Sequence, residues 1–323
     1  MSFNSVNTNR QAVIALQSLN QTTSELGGVQ KRLSTGLRVA DARDDGGAFA
    51  VAQAVRSDVA GVTAVGEQLG GTRGILSTTF ASLTTVSDTM KQVRAVLTRL
   101  ADAGITGTSR GQYEEQYALL TNQIATFIDD AFYNGRTLLS TDAGSGGGNI
   151  TSIRNESGGT FTIAAVDGEA LKLDPDAFVI TAAELVTLTT AAQAAYTAAF
   201  PAGPAWATLS PAAQQPYIDT EVFNEKVTRA TDAIQPGGTF DVVDGLISTA
   251  LNQFGAQMQF VENQITYNSK KIDAMNDGLG ALVDADLAKE SSKLQALQTR
   301  QQLGIQTLGI ANQGPQVLLS LFR

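Results

Sequence analysis

Apolar residues recur along this chain at intervals of three and four, over stretches far longer than an ordinary helix. Val62, Val65, Leu69, Thr72, Leu76, Thr79, Leu83, Val86, Met90, Val93, Leu97 and Leu100 keep that alternation throughout. Ile247, Leu251, Phe254, Met258, Val261, Ile265, Asn268, Ile272, Met275, Leu279 and Leu282 repeat it near the C-terminus. A 3.5-residue period describes helices that bury a narrow seam against other helices. The first run would be about 60 Å long at 1.5 Å per residue, which predicts a rod. A third row, Ala12, Leu16, Leu19, Thr23, Leu26, Gln30, Leu33 and Leu37, predicts a helix over about 8–33 that stops at Gly36.

Between these runs the pattern is less regular. The connector from Gly36 to Gly47 interleaves Arg38, Asp41, Arg43, Asp44 and Asp45. It reads either as an ordered joint or as a solvated charged loop. Gly61, Gly66, Gly70, Gly71 and Gly74 each weaken a helix by up to about 1 kcal/mol, so a break or bend is expected between Ala48 and Gly74. Ser109 followed by Gln112 fits a capping box for a helix carrying Tyr113, Tyr117, Leu120, Ile124, Phe127 and Ala131, ended by Asn134-Gly135.

The character changes at Ser140. Residues 141–149 read as a flexible small-residue segment. Residues 159–173 suggest two short strands around an Asp167-Gly168 turn. An Ala/Thr-rich helix at 181–200, a Pro-containing segment at 201–216 and a helix through Phe223, Val227, Ala230 and Ile234 follow. The expected architecture is therefore mainly α: a long coiled-coil-like rod built from both chain ends, with a small α+β domain (141–240) inserted in the middle. The flanking parts are 1–40, 41–140, 241–280 and 281–323. The candidate rod seam is Leu69, Leu76, Leu83, Val86, Val93, Leu97, Leu251, Phe254, Val261, Ile265 and Ile272.

Composition narrows the chemistry. The 323 residues carry a net charge of −9 with no histidine and no cysteine. An acidic chain is a poor partner for nucleic acid, and none is expected. Without those two residue types most metal sites and nucleophilic triads are excluded, and no cofactor is expected. The first residues show no basic n-region, sustained apolar h-region or small-residue cleavage site, so no cleaved signal is expected. No apolar run is long enough to span a membrane.

Both ends are amphipathic helices without an adjacent globular core. Leu16, Leu19, Leu26 and Leu33 mark the N-terminal stripe; Leu287, Leu294, Leu297 and Leu308, with the tail residues Leu318, Leu321 and Phe322, mark the C-terminal one. Such stripes associate. Pairing of the two ends within a subunit, followed by packing against other copies, generates a helical filament when the contacts do not close.

Three segments at the two ends resemble one family. Gln30-Lys31-Arg32-Leu33-Ser34-Thr35-Gly36-Leu37-Arg38-Val39, continuing through Ala42-Arg43-Asp44-Asp45, is similar to bacterial flagellin. Phe132-Tyr133-Asn134-Gly135-Arg136-Thr137-Leu138-Leu139 resembles the family's F-N-G-x-x-L-L segment with one residue inserted. Asp284-Ala285-Asp286, Ala311-Asn312-Gln313-Gly314-Pro315-Gln316 and Leu319-Ser320-Leu321-Phe322-Arg323 resemble its C-terminal pattern. The resemblance covers about 1–140 and 241–323. It implies a structural subunit of the flagellar filament, extracellular, exported unfolded without signal cleavage. The partners it implies are other copies, other flagellins, an export chaperone on the C-terminal helix, the filament cap and hook–filament junction proteins. One departure concerns the animal flagellin receptor, whose targets carry Q-R-V-R-E-L-A; here Lys91-Gln92-Val93-Arg94-Ala95-Val96-Leu97 stands in its place.

Other readings remain at this level. A hook–filament junction protein shares both terminal patterns. A zinc peptidase needs H-E-x-x-H and is excluded. Asp174, Asp176, Glu184, Asp219, Glu221 and Glu225 could serve glycoside hydrolysis, or be an ordinary acidic surface. Tyr196, Trp206 and Tyr217 could stack sugars in an adhesin, or form a small core.

Overall fold

The computed structural model describes residues 9–320, and these form two compact units. The first comprises the chain ends, up to Ala64 and from Asn268; the second is Val65–Tyr267. Helices α2 (Gly46–Leu100) and α6 (Thr239–Val283) each run from one unit into the other. The fold is mainly helical, as the periodicity predicts.

In the first unit, α1 (Arg10–Thr35) packs on α7 (Leu287–Ser320). Asn9 caps α1 by accepting from the Ala12 amide at 3.1 Å. Gly36 ends it in the left-handed region (φ 71°), where its N–H reaches the Arg32 carbonyl. A side chain would be strained at that φ, so the stop depends on glycine.

The second unit is organised around α2. Leu69, Leu76, Leu83, Val86, Met90, Val93, Leu97 and Leu100 are all buried in one cluster. Tyr117, Ile124 and Ile128 of α3 (Gly107–Asp129) complete it, with Ile247, Phe254 and Val261 of α6. Thr72 and Thr79 occupy seam positions and return their hydroxyls to the Gln68 and Ile75 carbonyls. A buried hydroxyl satisfied by its own helix avoids the desolvation cost of an unpaired one.

No break interrupts α2 between Ala48 and Gly74. Buried seam residues on either side offset the propensity loss. At Gly74 the residue has a purpose: an added Cβ would lie 2.6 Å from the Tyr133 ring. The expected capping box at Ser109 is also absent. The helix starts at Gly107 (φ 57°), its cap residue Thr106 makes no side-chain bond, and Arg110 organises the turn instead. Arg110 is buried, donates to the Leu100 carbonyl at 2.8 Å and lies over the Phe223 ring at 4.9 Å. It thereby satisfies a carbonyl at the end of α2 that has no helical partner.

Asn134-Gly135 follows α3 rather than ending it. Both residues have positive φ, and Tyr133 and Arg136 exchange backbone hydrogen bonds across them. That is the geometry for which Asn-Gly is favoured. Residues 141–149 fold as a tight turn containing a short 3-10 segment at Ala143–Ser145. Asp142 accepts from the Gly144 amide, and a Cβ at Gly146 or Gly147 would collide with the Gly135 or Ser140 carbonyl. The glycines serve close backbone approach.

The strand pair also differs from the expected one. β1 (Ile150–Ile153) is antiparallel to β2 (Thr160–Ile163), with Ile150 opposite Ile163. The Asp167-Gly168 turn instead leads into a short 3-10 turn at Glu169–Leu171, where Leu171 is buried. Ile150, Ile163, Leu171, Leu173 and Phe178 enter the same core as the α2 seam. The rest of the inserted section is α4 (Ala182–Ala199) and α5 (Pro211–Ile234). The second of these starts inside the Pro-containing segment, with Pro at its first turn, where no N–H is needed. Tyr196, Trp206 and Tyr217 pack edge-on against one another in a cluster of their own with Ala192, Leu209 and Ile218.

Leu83 is fully buried, whereas Leu119 on α3 is 64% exposed. Leu83→Ala is expected to lower unfolding stability by about 2–5 kcal/mol. Leu119→Ala should stay within about 0.5 kcal/mol of the parent. Urea denaturation followed by far-UV circular dichroism measures both.

Candidate assembly surface

The functional surface follows from how the two chain ends meet. α1 and α7 run antiparallel, and their contacts follow one continuous register. The Asn9 side-chain amide donates to the Ala311 carbonyl at 2.7 Å. Leu19 lies against Gly304, where a Cβ would come within 3.2 Å of its Cδ1. Leu26, Val29 and Leu297 form a small buried cluster, with Leu294 against it. Arg32 pairs with Glu290 at 3.3 Å, and the Ala285 amide donates to the Gly36 carbonyl.

The connector is an ordered joint. Arg38 and Val39 donate their amides to the Val283 carbonyl, and Leu37 bridges Asp284. Val39, Ala52 and Val283 are buried together beneath it. Lys31 Nζ lies 2.8 Å from both Asp41 Oδ2 and Asp44 Oδ2. Asp44 Oδ2 also accepts from the amides of Ala40 and Asp41, while Asp45 caps α2 through Gly47 and Ala48.

These contacts set the charge states. The Lys31 hydrogen bond holds the Asp41 and Asp44 carboxyls below their ordinary value of 3.8, and the same bonds raise Lys31 above 10.5. The carboxylates' contribution is therefore complete above 3.8 and disappears as pH falls through their depressed folded values. That of Lys31 is complete below 10.5 and disappears as pH rises through its raised one. The groups are exposed, so each bond contributes modestly and salt weakens it.

The stripe positions read from the sequence separate into three groups. Leu26 and Leu297 are buried between α1 and α7. Leu19, Leu33, Leu294 and Leu308 are half-buried. Leu16 and Leu287 are exposed, at 47% and 49%. Leu318, Leu321 and Phe322 lie outside the residues whose side chains the structure describes. Exposed apolar residues absent from the sequence-based site join Leu16: Val13 and Ile14 on α1, and Leu303, Ile305 and Ile310 on α7. Of the seam candidates, Leu69, Leu76, Leu83, Val86, Val93, Leu97, Phe254 and Val261 are buried. Leu251, Ile265 and Ile272 are half-buried.

Two of the carboxylates considered for hydrolysis are engaged in ion pairs. Glu184 and Glu225 are both tied to Arg229, at 2.6 and 2.9 Å. Tyr196 and Trp206 are 6% and 8% exposed, so their faces are used in packing rather than offered to a sugar. Among the described residues no three acidic side chains come together as a metal-ligand cluster, and no helix is long and apolar enough to cross a membrane.

Comparison with known proteins decides the family. The bacterial flagellin N-terminal helical region matches residues 6–143, and the C-terminal helical region matches 240–322. The chain belongs to the bacterial flagellins. Flagellin FljK of Caulobacter vibrioides is 32% identical over 323 residues, covering 100% of both chains. Flagellin C of Rhizobium meliloti is 29% identical over 99% of each, and a flagellin of Brucella melitensis 28% over 99% of each. This flagellin is accordingly a structural subunit of the extracellular flagellar filament, which serves motility, and it polymerises with copies of itself. The two matched regions include all of α1, α2, α3 and α7, nearly all of α6, and the register that joins the chain ends.

Asp41 and Asp44 are expected to titrate below 3.8 in a carboxyl-carbon NMR titration. Lys31→Ala should return both toward the ordinary value. Titration at or above 3.8 in the parent chain would contradict the joint.

Proposed function

We propose that the α1–α7 pair is the assembly element of this flagellin, and that residues 1–40 and 281–323 form the filament core. The supporting observation is the apolar surface that the pair leaves uncovered: Val13 at 64%, Ile14 at 67%, Leu303 at 56%, Ile305 at 57% and Ile310 at 69% exposure. Burying one such side chain is worth roughly 1.5–3 kcal/mol, so several of them on one helix pair drive association. In this reading Leu16, Leu19, Leu33, Leu287, Leu294 and Leu308, with tail residues Leu318, Leu321 and Phe322, flank or join the subunit contacts. Leu26 and Leu297 hold the pair together from inside. Residues 41–140 and 241–280 form the next layer, and 141–240 faces outward.

The same exposed apolar residues on α7 are what an export chaperone would cover before assembly. The family relation supports the filament cap, hook–filament junction proteins and other flagellins as further partners, with export that leaves the N-terminus uncleaved.

Ile310→Asp is the direct test. The carboxylate stays in water in the free subunit but is buried in the polymer, at a cost of several kcal/mol or a forced protonation. Each 1.4 kcal/mol is a factor of ten in binding, so the critical concentration for elongation on parent seeds should rise at least tenfold. Subunit helicity should be unchanged. Leu297→Asp should differ by loosening the α1–α7 pair within the subunit, lowering helicity as well. Normal elongation of Ile310→Asp at neutral pH would remove this face of α7 from the subunit contacts.

A further inference from the structure

The inserted section contains two cores joined by a polar junction. The outer core is Ala192, Tyr196 and Trp206 with Leu209, Tyr217 and Ile218, and none of these residues belongs to the main core of the unit. α5 takes part in both: Tyr217 and Ile218 lie in the outer core, whereas Ala230, Ala233 and Ile234 reach the main one. The stretch between them is held mainly by charge. Lys226 Nζ pairs with Glu114 at 2.7 Å, and Phe223 lies under Arg110. Arg229 makes three contacts: Glu225 Oε1 at 2.9 Å, Glu184 Oε1 at 2.6 Å and the Ala177 carbonyl at 3.1 Å.

Glu184 is the residue that completes the capping box of α4, its other oxygen accepting from the Thr181 amide and hydroxyl. Arg229 therefore ties the start of α4 to the lower part of α5 and to the segment that enters the main core. A cleft of about 500 Å³ opens at the same level, lined by Glu114, Asp176, Val179, Val222 and Lys226 among others. Apolar packing across the junction is correspondingly thin. Pro216 lies within α5 on the outer side and lacks the N–H that would continue the helical ladder, which weakens that end further.

We propose that α4, the 206–208 turn and the first half of α5 form a tip that opens as a cooperative unit of its own, latched to the main core through Arg229. Segments joined by few apolar contacts open at lower free energy than the core they rest on. The latch is built from partly exposed ion pairs, so it releases without disturbing the α2 seam.

Trp206 is the single tryptophan of the chain and lies in the outer core. Its fluorescence reports the tip alone, while far-UV circular dichroism reports helices of the whole chain. In urea titrations of the full-length dispersed subunit, the fluorescence midpoint should fall below that of the main dichroism transition. Arg229→Gln should lower the fluorescence midpoint by a further ~0.5 M or more and leave the main transition in place. Glu184→Gln should act in the same direction, and Arg229→Lys should recover part of the shift. Coincident transitions in the parent chain would overturn a separate tip. Equal displacement of both transitions by Arg229→Gln would overturn the latch.

Discussion

Burial of one face of α2 is the constraint on which the second unit depends. A helix of 55 residues would be about 80 Å long, and no isolated helix of that composition holds itself together. Its row from Leu69 to Leu100 is dry because α3, α6 and the β1–β2 segment cover it. The same helix tolerates Gly61, Gly66, Gly70, Gly71 and Gly74, since the free energy comes from side-chain burial on the seam rather than from local propensity. Polar residues on the seam are threonines that bond to their own helix, so they add no unpaired group to the core.

The chain ends follow the opposite design. Among the described residues, Leu26, Val29 and Leu297 form a small apolar cluster between α1 and α7, and polar contacts carry much of the register. Asn9 with Ala311, Arg32 with Glu290 and Gly36 with Ala285 fix which residues face each other. They supply alignment, because each of these polar groups meets its partner in one register alone. The outcome is a pair with defined register and a large uncovered apolar surface, which suits a subunit whose final packing comes from its neighbours.

Much of this was legible in the residues because helical burial is periodic. The α2 seam could be read one position at a time, and the flagellin resemblance rests on segments that include the joint around Gly36 and Asp284. What could not be read depends on partners distant in sequence. Leu16 and Leu26 look alike in the stripe, yet α7 covers one and leaves the other in water. Gly74, Gly146 and Gly147 read as weak or flexible points, whereas each accommodates a ring or carbonyl placed there by the fold. Ile150–Ile153 is too short and polar to announce itself as a strand without its partner at Thr160–Ile163. Arg110 offered no local sign that it would be buried against the end of α2.

The central claim is that apolar residues left exposed by the α1–α7 pair become the buried contacts of the polymer. Hydroxyl-radical footprinting of dispersed subunits and of filaments, read by mass spectrometry, measures it residue by residue. Val13, Ile14, Leu303, Ile305 and Ile310 should label readily in the subunit and lose most of that labelling in the filament. Leu26 and Leu297 should be protected in both. Equal labelling of the first group in the two states would contradict the account.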